Sequence, residues 1–445
     1  MNTRFAGATA VVVLTAVCAA QDVVTPAGAR RPDLVVGGFV NGEADTPALS
    51  PDRIIVRFAG LVDVDTLDRV CAQVGLQHVD RGLNGAFEVL KATPETVDAW
   101  TAWLAAQPGI ELAERDPLAH TMVGPNDPFY APYQWNMMNR GATSNGYVSN
   151  FGVQAEAAWN TSNGAGVVVA IVDTGVAYEN FGSFAQAPDL VGRTFVSPYN
   201  AVANTNHAND DNSHGTHVAG TIGQVTNNSL GCAGIAHGCS IMPVKVLDAS
   251  GSGSHTWIAN GIVWAADHGA KVINMSLGGS TGSTTLQNAV DYAWSRGVVI
   301  CAATGNTGRS GVSYPARYTN CIAVGATRFD GSRARYSTYG TGIDVVAPGG
   351  DTSVDQNHDG YGDGILQQTF ASGTPTSFAY YFFQGTSMAT PHVTAIAALV
   401  AANRPAYSNA QIRSAIESSC SDLGKAGYDT TYGNGLVDAA LALTR

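Results

Sequence analysis

The chain runs to 445 residues, 45% apolar and only 13% charged, a composition that calls for two globular units with sizeable cores and excludes a disordered chain. Its formal net charge of -12 excludes a duplex nucleic-acid binder, which needs a basic face, and favours bound cations. Glycine is abundant at 51 residues, as tight strand-to-helix turns require.

Residues 1–20 carry Arg4, an apolar run over 6–17 and the small residues Cys18-Ala19-Ala20, the pattern of a removable export signal. The run falls well short of the ~20 residues that span a bilayer, and no later stretch is long enough to cross one, so no membrane anchor is expected. Lipid attachment through Cys18 is disfavoured by bulky Val17. Export makes the protein secreted and permits disulfides. Cys71 then remains in the first unit, with Cys232, Cys239, Cys301, Cys321 and Cys420 beyond it. Cys232 and Cys239 are close enough in sequence to bridge a loop. Cys301 and Cys321 lie in two apolar strands, as a bridge or as buried thiols, and the odd count points to Cys420 as free. Spacing leaves the pairing open.

Residues 21–51 are rich in Pro, Gly and Ala and read as a linker. A compact unit at 52–117 follows: strand 53–58, helix 66–74, strand 87–91, helix 94–107 with Trp100, Trp103 and Leu104 on one side, and strand 110–115. This β-α-β-α-β rhythm predicts a small α+β domain. Residues 118–125 form a processing linker, and Gly124-Pro125-Asn126-Asp127-Pro128 marks the boundary.

From Asn126 to Arg445 the rhythm becomes a long alternation. Nearly all-apolar runs at 167–172, 241–247, 272–275, 298–303, 322–324 and 345–347 fit strands buried on both faces of a parallel sheet. Helices are predicted at 256–268 and 284–296, with Gly269 and Gly297 at their C-terminal caps. The fold class is therefore α/β, a doubly wound, mostly parallel sheet flanked by helices. Its ligand site belongs beyond the carboxyl ends of the strands.

Three segments stand there. A buried strand ends in Asp173-Thr174-Gly175, where a carboxylate costs stability unless paired. His214-Gly215-Thr216-His217-Val218-Ala219-Gly220 opens a helix whose glycines permit close backbone approach. It lacks the Glu of a His-Glu-x-x-His zinc helix, so His214 is read as functional and His217 as structural. Gly385-Thr386-Ser387-Met388-Ala389-Thr390-Pro391-His392 puts a serine at a helix N-terminus, where backbone N–H groups favour developing negative charge. Taken singly, each has a plain alternative: a turn aspartate, core histidines, a capping serine. Together they supply a nucleophile, a base and a carboxylate that orients the base. Ala389 stands where the esterase Gly-x-Ser-x-Gly elbow has its last glycine.

The order Asp173, His214, Ser387 and these three motifs resemble the subtilisin-like serine proteases, or subtilases, from about Asn126 to the chain end. The resemblance implies a serine endopeptidase that cleaves protein and peptide substrates through an acyl-enzyme; a monomer is expected, with the oligomeric state left open by the sequence. It also implies that Asn306, in Ala302-Ala303-Thr304-Gly305-Asn306, joins the Ser387 N–H in binding the oxyanion. Ser276-Leu277-Gly278 and Gly251-Ser252-Gly253, with Ala303 and Gly305, would line the extended substrate. The unit at 52–117 would be a propeptide that assists folding and inhibits the cleft until cleavage near residues 120–126.

Calcium is the expected cofactor, in a structural role. Asp355, Asn357, Asp359, the Tyr361 carbonyl and Asp363 follow the start of an EF-hand-type loop, although Leu366 replaces the bidentate glutamate. A solvated polar loop is the alternative. Resemblance to thermitase-like subtilases implies a second site of Asp127, Asp189, Asn228 and the carbonyls of Val225, Leu230 and Cys232. Asp210 and Asp211 are a third candidate pair. Two rival functions fit parts of the pattern: a catalytically silent binding protein on the same fold, and an esterase.

Overall fold

The computed structural model describes residues 34–35, 49–60, 62–82, 85–117, 124–138 and 149–445. The export signal at 1–20, most of the 21–51 linker and residues 118–123 lie outside the described residues. The chain forms two units, Gly38–Val123 and Gly124–Arg445, and the short strand Leu34–Val35 belongs to the second.

The first unit is β1 (Leu49–Phe58), α1 (Val64–Val74), β2 (Gln77–Arg81), β3 (Glu88–Lys91), α2 (Val97–Ala105) and β4 (Ile110–Pro117). Its antiparallel sheet has the order β2-β3-β1-β4, a split β-α-β arrangement. The predicted rhythm lacked β2. That strand is Gln-His-Val-Asp-Arg at a sheet edge, with one apolar residue and therefore no alternation to read. Helix α1 starts where the Asp63 carboxylate accepts the Thr66 N–H at 3.0 Å and stops at Gly75, φ +79°. Ile54, Val56, Leu67, Cys71, Leu90, Val97 and Leu104 form the core. Trp103 is not with Leu104: it is 53% exposed and meets Trp100 edge-on.

The second unit is built on β5 (Val168–Asp173), β6 (Ser240–Lys245), β7 (Val272–Met275), β8 (Val299–Ala303), β9 (Ile322–Thr327) and β10 (Val345–Pro348). With the two-residue strand Tyr199–Asn200 they make a seven-stranded parallel sheet, ordered β10-β9-β8-β7-β5-β6 and then Tyr199–Asn200. The chain winds from β5 to β6 on one side and to β7 on the other. The switch point therefore falls at the carboxyl ends of β5 and β7.

Alternation along β5 sends Val169 and Ile171 into one core and Ala170 and Val172 into the other. The first core holds α3 (His214–Gly223) and α6 (Thr386–Asn403); the second holds α4 (His255–Asp267) and α5 (Thr284–Ser295). Ser254 and Ser283 cap the amino ends of α4 and α5, and Gly269 and Gly297 turn left-handed after their carboxyl ends, as their sequence predicts.

An antiparallel hairpin, β11 (Ile365–Phe370) and β12 (Phe378–Phe383), carries Leu34–Val35 at its edge. The sequence carried no prediction for it, because Gln367, Gln368 and Thr369 break any apolar run yet are buried. All six described cysteines are free thiols. Cys301 and Cys321 lie in opposite cores across the sheet, and Cys232 and Cys239 in separate apolar clusters, so neither candidate bridge forms. No described helix is long and apolar enough to cross a membrane.

Candidate active site

Asp173 is the last residue of β5, at the switch point, and is fully buried. Main-chain bonds from Val246 N and Leu247 N to its carbonyl fix the strand end. Its Oδ1 accepts from Thr174 N and from His214 Nδ1, both at 2.7 Å. A carboxylate can only accept, so the proton sits on Nδ1 and the other ring nitrogen, Nε2, is the basic one. His214 opens α3, and its side chain is 26% exposed. Gly215 makes this possible: a Cβ there would collide with Gly175 O and crowd Asp173 Cβ at 3.2 Å.

Ser387 lies in the first turn of α6, and its Oγ donates to Ser276 O at 3.1 Å. Ser276 Oγ returns a bond to Ser387 O at 2.7 Å, so the segment after β7 clasps the start of the serine helix. Asn306 follows β8. Its Oδ1 accepts from Thr386 N and Thr386 Oγ1, both at 2.9 Å, which orients the carboxamide with Nδ2 on its other side. A Cβ built on Gly385 would lie 3.5 Å from both Asn306 Nδ2 and Ser387 N. The two donors thus flank one small space, and Gly385 (φ +150°) leaves it open.

Ala303 ends β8, and Gly305 (φ +106°) has no room for a side chain beside Ser313 Oγ. Ser276 is 3% exposed, with its Oγ and its carbonyl both engaged in the serine clasp, while Leu277 is half-buried and Gly278 exposed. Gly251-Ser252-Gly253 close a turn by Asp248 N to Ser252 O at 2.8 Å. That turn meets the His214 segment through Asn212 Nδ2, which donates to Ala249 O at 3.0 Å.

The two other motif histidines are structural. His217 Nε2 lies 3.0 Å from Ile365 O and Tyr381 O, and the ring stacks on Phe383 at 4.2 Å. Burial pushes its pKa down to about 3. His392 donates from Nδ1 to Met388 O and accepts at Nε2 from Asn136 Nδ2, both at 2.8 Å, and burial pushes it to about 4. Asn136 had no signal in the sequence, because its partner lies 256 residues away.

The candidate cation residues differ in fit. Among the described residues, no three His, Cys, Asp or Glu side chains converge as a metal cluster. In the loop at 355–364, Asp355 Oδ1 and Asn357 Oδ1 share the Asp359 N–H, and Asp359 Oδ1 accepts from Tyr361 N at 2.8 Å. Asp363 is 2% exposed, with Oδ2 on Gln356 N at 2.7 Å and Oδ1 buried without a partner. Burial, then the charges of Asp359 and Asp355, push its pKa up to about 7. An orphaned buried carboxylate oxygen is what a hard cation would satisfy.

At the second set, Asp127 accepts from Asn227 N at 2.9 Å and Asn228 N at 3.3 Å, and Asp189 Oδ1 accepts from Asn228 Nδ2 at 2.9 Å. The fold therefore gathers Asp127, Asp189 and Asn228. Gln224 Nε2, Tyr380 Oη and Cys232 N also donate to Asp189 Oδ2, and burial pushes Asp189 to about 6. Val225 N donates to Asp189 O at 3.1 Å and Leu230 N to Asn228 Oδ1 at 2.9 Å, so the loop carrying the three carbonyl residues folds over these side chains. Asp210 and Asp211 are not a cation pair. Asp211 accepts from Lys245 Nζ at 2.6 Å, and the Asp210 carboxylate is taken up by side-chain and backbone donors.

Residues 164–435 match the subtilase family. The chain is 41% identical to thermitase of Thermoactinomyces vulgaris over 319 residues, covering 72% of this chain and 99% of that protein. It is 37% identical to the thermophilic serine proteinase of Bacillus sp. (strain AK1), covering 89% of this chain and 86% of that one. A solved protease structure from Pseudoalteromonas arctica PAMC 21717 superposes with a TM-score of 0.63 at 34% identity, covering 72% of this chain and 99% of that chain. With a switch-point aspartate bonded to a helix-opening histidine, and a serine helix beside an asparagine amide, the chain belongs to the subtilase family of serine peptidases.

Proposed function

We propose that this protein is a serine endopeptidase in which Ser387 is the nucleophile, His214 the general base and Asp173 its orienting carboxylate. The observation that carries the reading is the 2.7 Å bond between His214 Nδ1 and the buried Asp173 Oδ1. It fixes the tautomer that leaves Nε2 able to take a proton. Ser387 Oγ adds to the scissile carbonyl as its proton passes to Nε2, and the oxyanion sits between Ser387 N and Asn306 Nδ2. The imidazolium then protonates the leaving amine as the carbon–nitrogen bond breaks. Water, deprotonated by the same ring, hydrolyses the acyl-enzyme and regenerates Ser387. Ser276-Leu277-Gly278 and Gly251-Ser252-Gly253 pair through backbone with an extended protein or peptide substrate, with Ala303 and Gly305 beside the reacting carbonyl.

The chain is a secreted precursor. The signal at 1–20 directs export, and the unit ending at Pro117 is an intramolecular inhibitor removed by the enzyme's own cleavage near residues 120–126. The match to 89% of this chain reaches beyond what Gly124–Arg445 can supply, so that relative also carries sequence similar to part of the first unit. Calcium, held by the Asp355–Asp363 oxygens and by Asp127, Asp189 and Asn228 with neighbouring carbonyls, stiffens surface loops when bound and takes no part in bond cleavage. The mature enzyme acts as a monomer.

A fluorophosphonate probe should label the secreted protein at Ser387 and fail on Ser387→Ala; labelling of the alanine variant overturns the assignment. Casein should be cleaved far better than a short-chain ester. Amino-terminal sequencing should place the mature start near residue 126, with Ser387→Ala still joined to its precursor unit.

A further inference from the structure

We propose that Asp210 is the positioning residue that sets the His214 imidazole against Asp173, a role that rests on the triad reading above. Asp210 is 1% exposed and belongs to none of the motifs. Its Oδ1 accepts from Thr174 Oγ1, Asn212 N and Ser213 N, each at 2.9 Å. Its Oδ2 accepts from Thr216 N at 2.9 Å and Thr216 Oγ1 at 2.6 Å. Thr174 follows Asp173 in the chain, and Ser213 and Thr216 bracket His214. One carboxylate thus ties the strand end that bears the acid to the helix start that bears the base.

The tie is closed on both sides. Thr174 Oγ1 accepts the Gly215 N–H at 2.9 Å, and Thr216 Oγ1 accepts the Ala177 N–H at 3.0 Å. Ser213, directly before His214, has φ +101°, a conformation that a non-glycine residue keeps only when its surroundings dictate it. Asp210 holds its N–H, and Thr369 Oγ1 donates to its carbonyl at 2.6 Å. Asp211 acts on the same turn from the other side: its partner Lys245 also donates to Thr174 O at 2.7 Å and Leu247 O at 2.8 Å.

Five donors converge on Asp210, and only a carboxylate has acceptors for all of them. An asparagine keeps one acceptor oxygen and turns an NH₂ group onto the rest. The helix start then shifts against the strand end. A displacement of about 1 Å in a reacting constellation costs on the order of 10²-fold in rate.

The test is steady-state kinetics on a peptide anilide, with the folded fraction of each variant measured by calorimetry. Asp210→Asn should lower kcat about 10- to 100-fold while KM changes less than about two-fold, since none of the residues that Asp210 bonds belongs to the substrate-pairing segments. Thr174→Val removes one strut and should lower kcat in the same direction, and Thr174→Ser, which keeps the hydroxyl, should restore it. Wild-type kcat in Asp210→Asn, or losses that only track the folded fraction, would overturn the proposal. If Asp210→Asn does not fold, the Thr174 pair decides: equal kcat for Thr174→Val and wild type sinks it. Wild-type turnover in Ser387→Ala would instead sink the triad reading.

Discussion

At the scale of single residues, the site depends on what each polar atom has left to give. Asn306 spends its oxygen on Thr386 N and Oγ1, so only Nδ2 can meet an oxyanion. Asn306→Ala should lower kcat by about 10²- to 10³-fold, the range known for one such donor in a subtilisin, with KM little changed. Steady-state kinetics on a peptide anilide checks this, and a kcat within a few-fold of wild type would rule out the oxyanion role. The three motif histidines divide by the same accounting. His217 and His392 are buried, neutral and committed to backbone or amide partners, whereas His214 is partly exposed and faces a carboxylate. Their types and spacing were readable from the motif. The stacking of His217 on Phe383 was not, because that ring arrives from a hairpin far along the chain.

Elements hold these residues through a few buried polar ties. Lys245 pairs with Asp211 and, being 4% exposed, has lost its water. Lys245→Met strands a half-buried carboxylate and two carbonyls, and should destabilise the fold by about 1–3 kcal/mol. Adding Asp211→Leu should recover part of that loss. Denaturant unfolding of the Ser387→Ala background measures both, and strict additivity of the two changes would argue against the pair. In the first unit, His78 lies between Asp68 at 2.7 Å and Glu88 at 2.9 Å. Burial works against the charged ring, but the hydrogen bonds and charges of the two carboxylates outweigh it and raise its pKa. A raised folded pKa contributes stability that is complete below the ordinary value of about 6.5 and is lost as pH rises through the folded value. The unit should therefore weaken from near neutral into mildly alkaline pH. Calorimetry of the unprocessed Ser387→Ala chain at pH 6 and pH 9 should show this, and His78→Gln should flatten the difference.

For the molecule as a whole, the Asp355–Asp363 loop is where stability should respond to solution conditions. Chelation should lower the melting temperature of the Ser387→Ala protein and speed self-digestion of the active one. Asp363→Asn should blunt the response, because it replaces the buried oxygen that has no protein partner. A melting curve indifferent to chelator and calcium alike would show that the loop is held by its own hydrogen bonds.

The sequence by itself determined the layered α/β class, the parallel strands, the helix caps at Gly269 and Gly297, and the three motifs, because apolar runs, glycine conformations and local spacing are properties of neighbouring residues. It was silent on β2, on the buried glutamines of β11, on Asn136 and on the Asp210 ties. Their apolar or hydrogen-bonding partners lie on other elements, and an edge strand or a polar buried strand has no local period. Only the tertiary structure decided the cysteines, by sending Cys301 and Cys321 to opposite faces of the sheet. It likewise turned Asp210 and Asp211 from a candidate cation pair into the brace behind His214, since a carboxylate's role is set by the donors that folding brings to it.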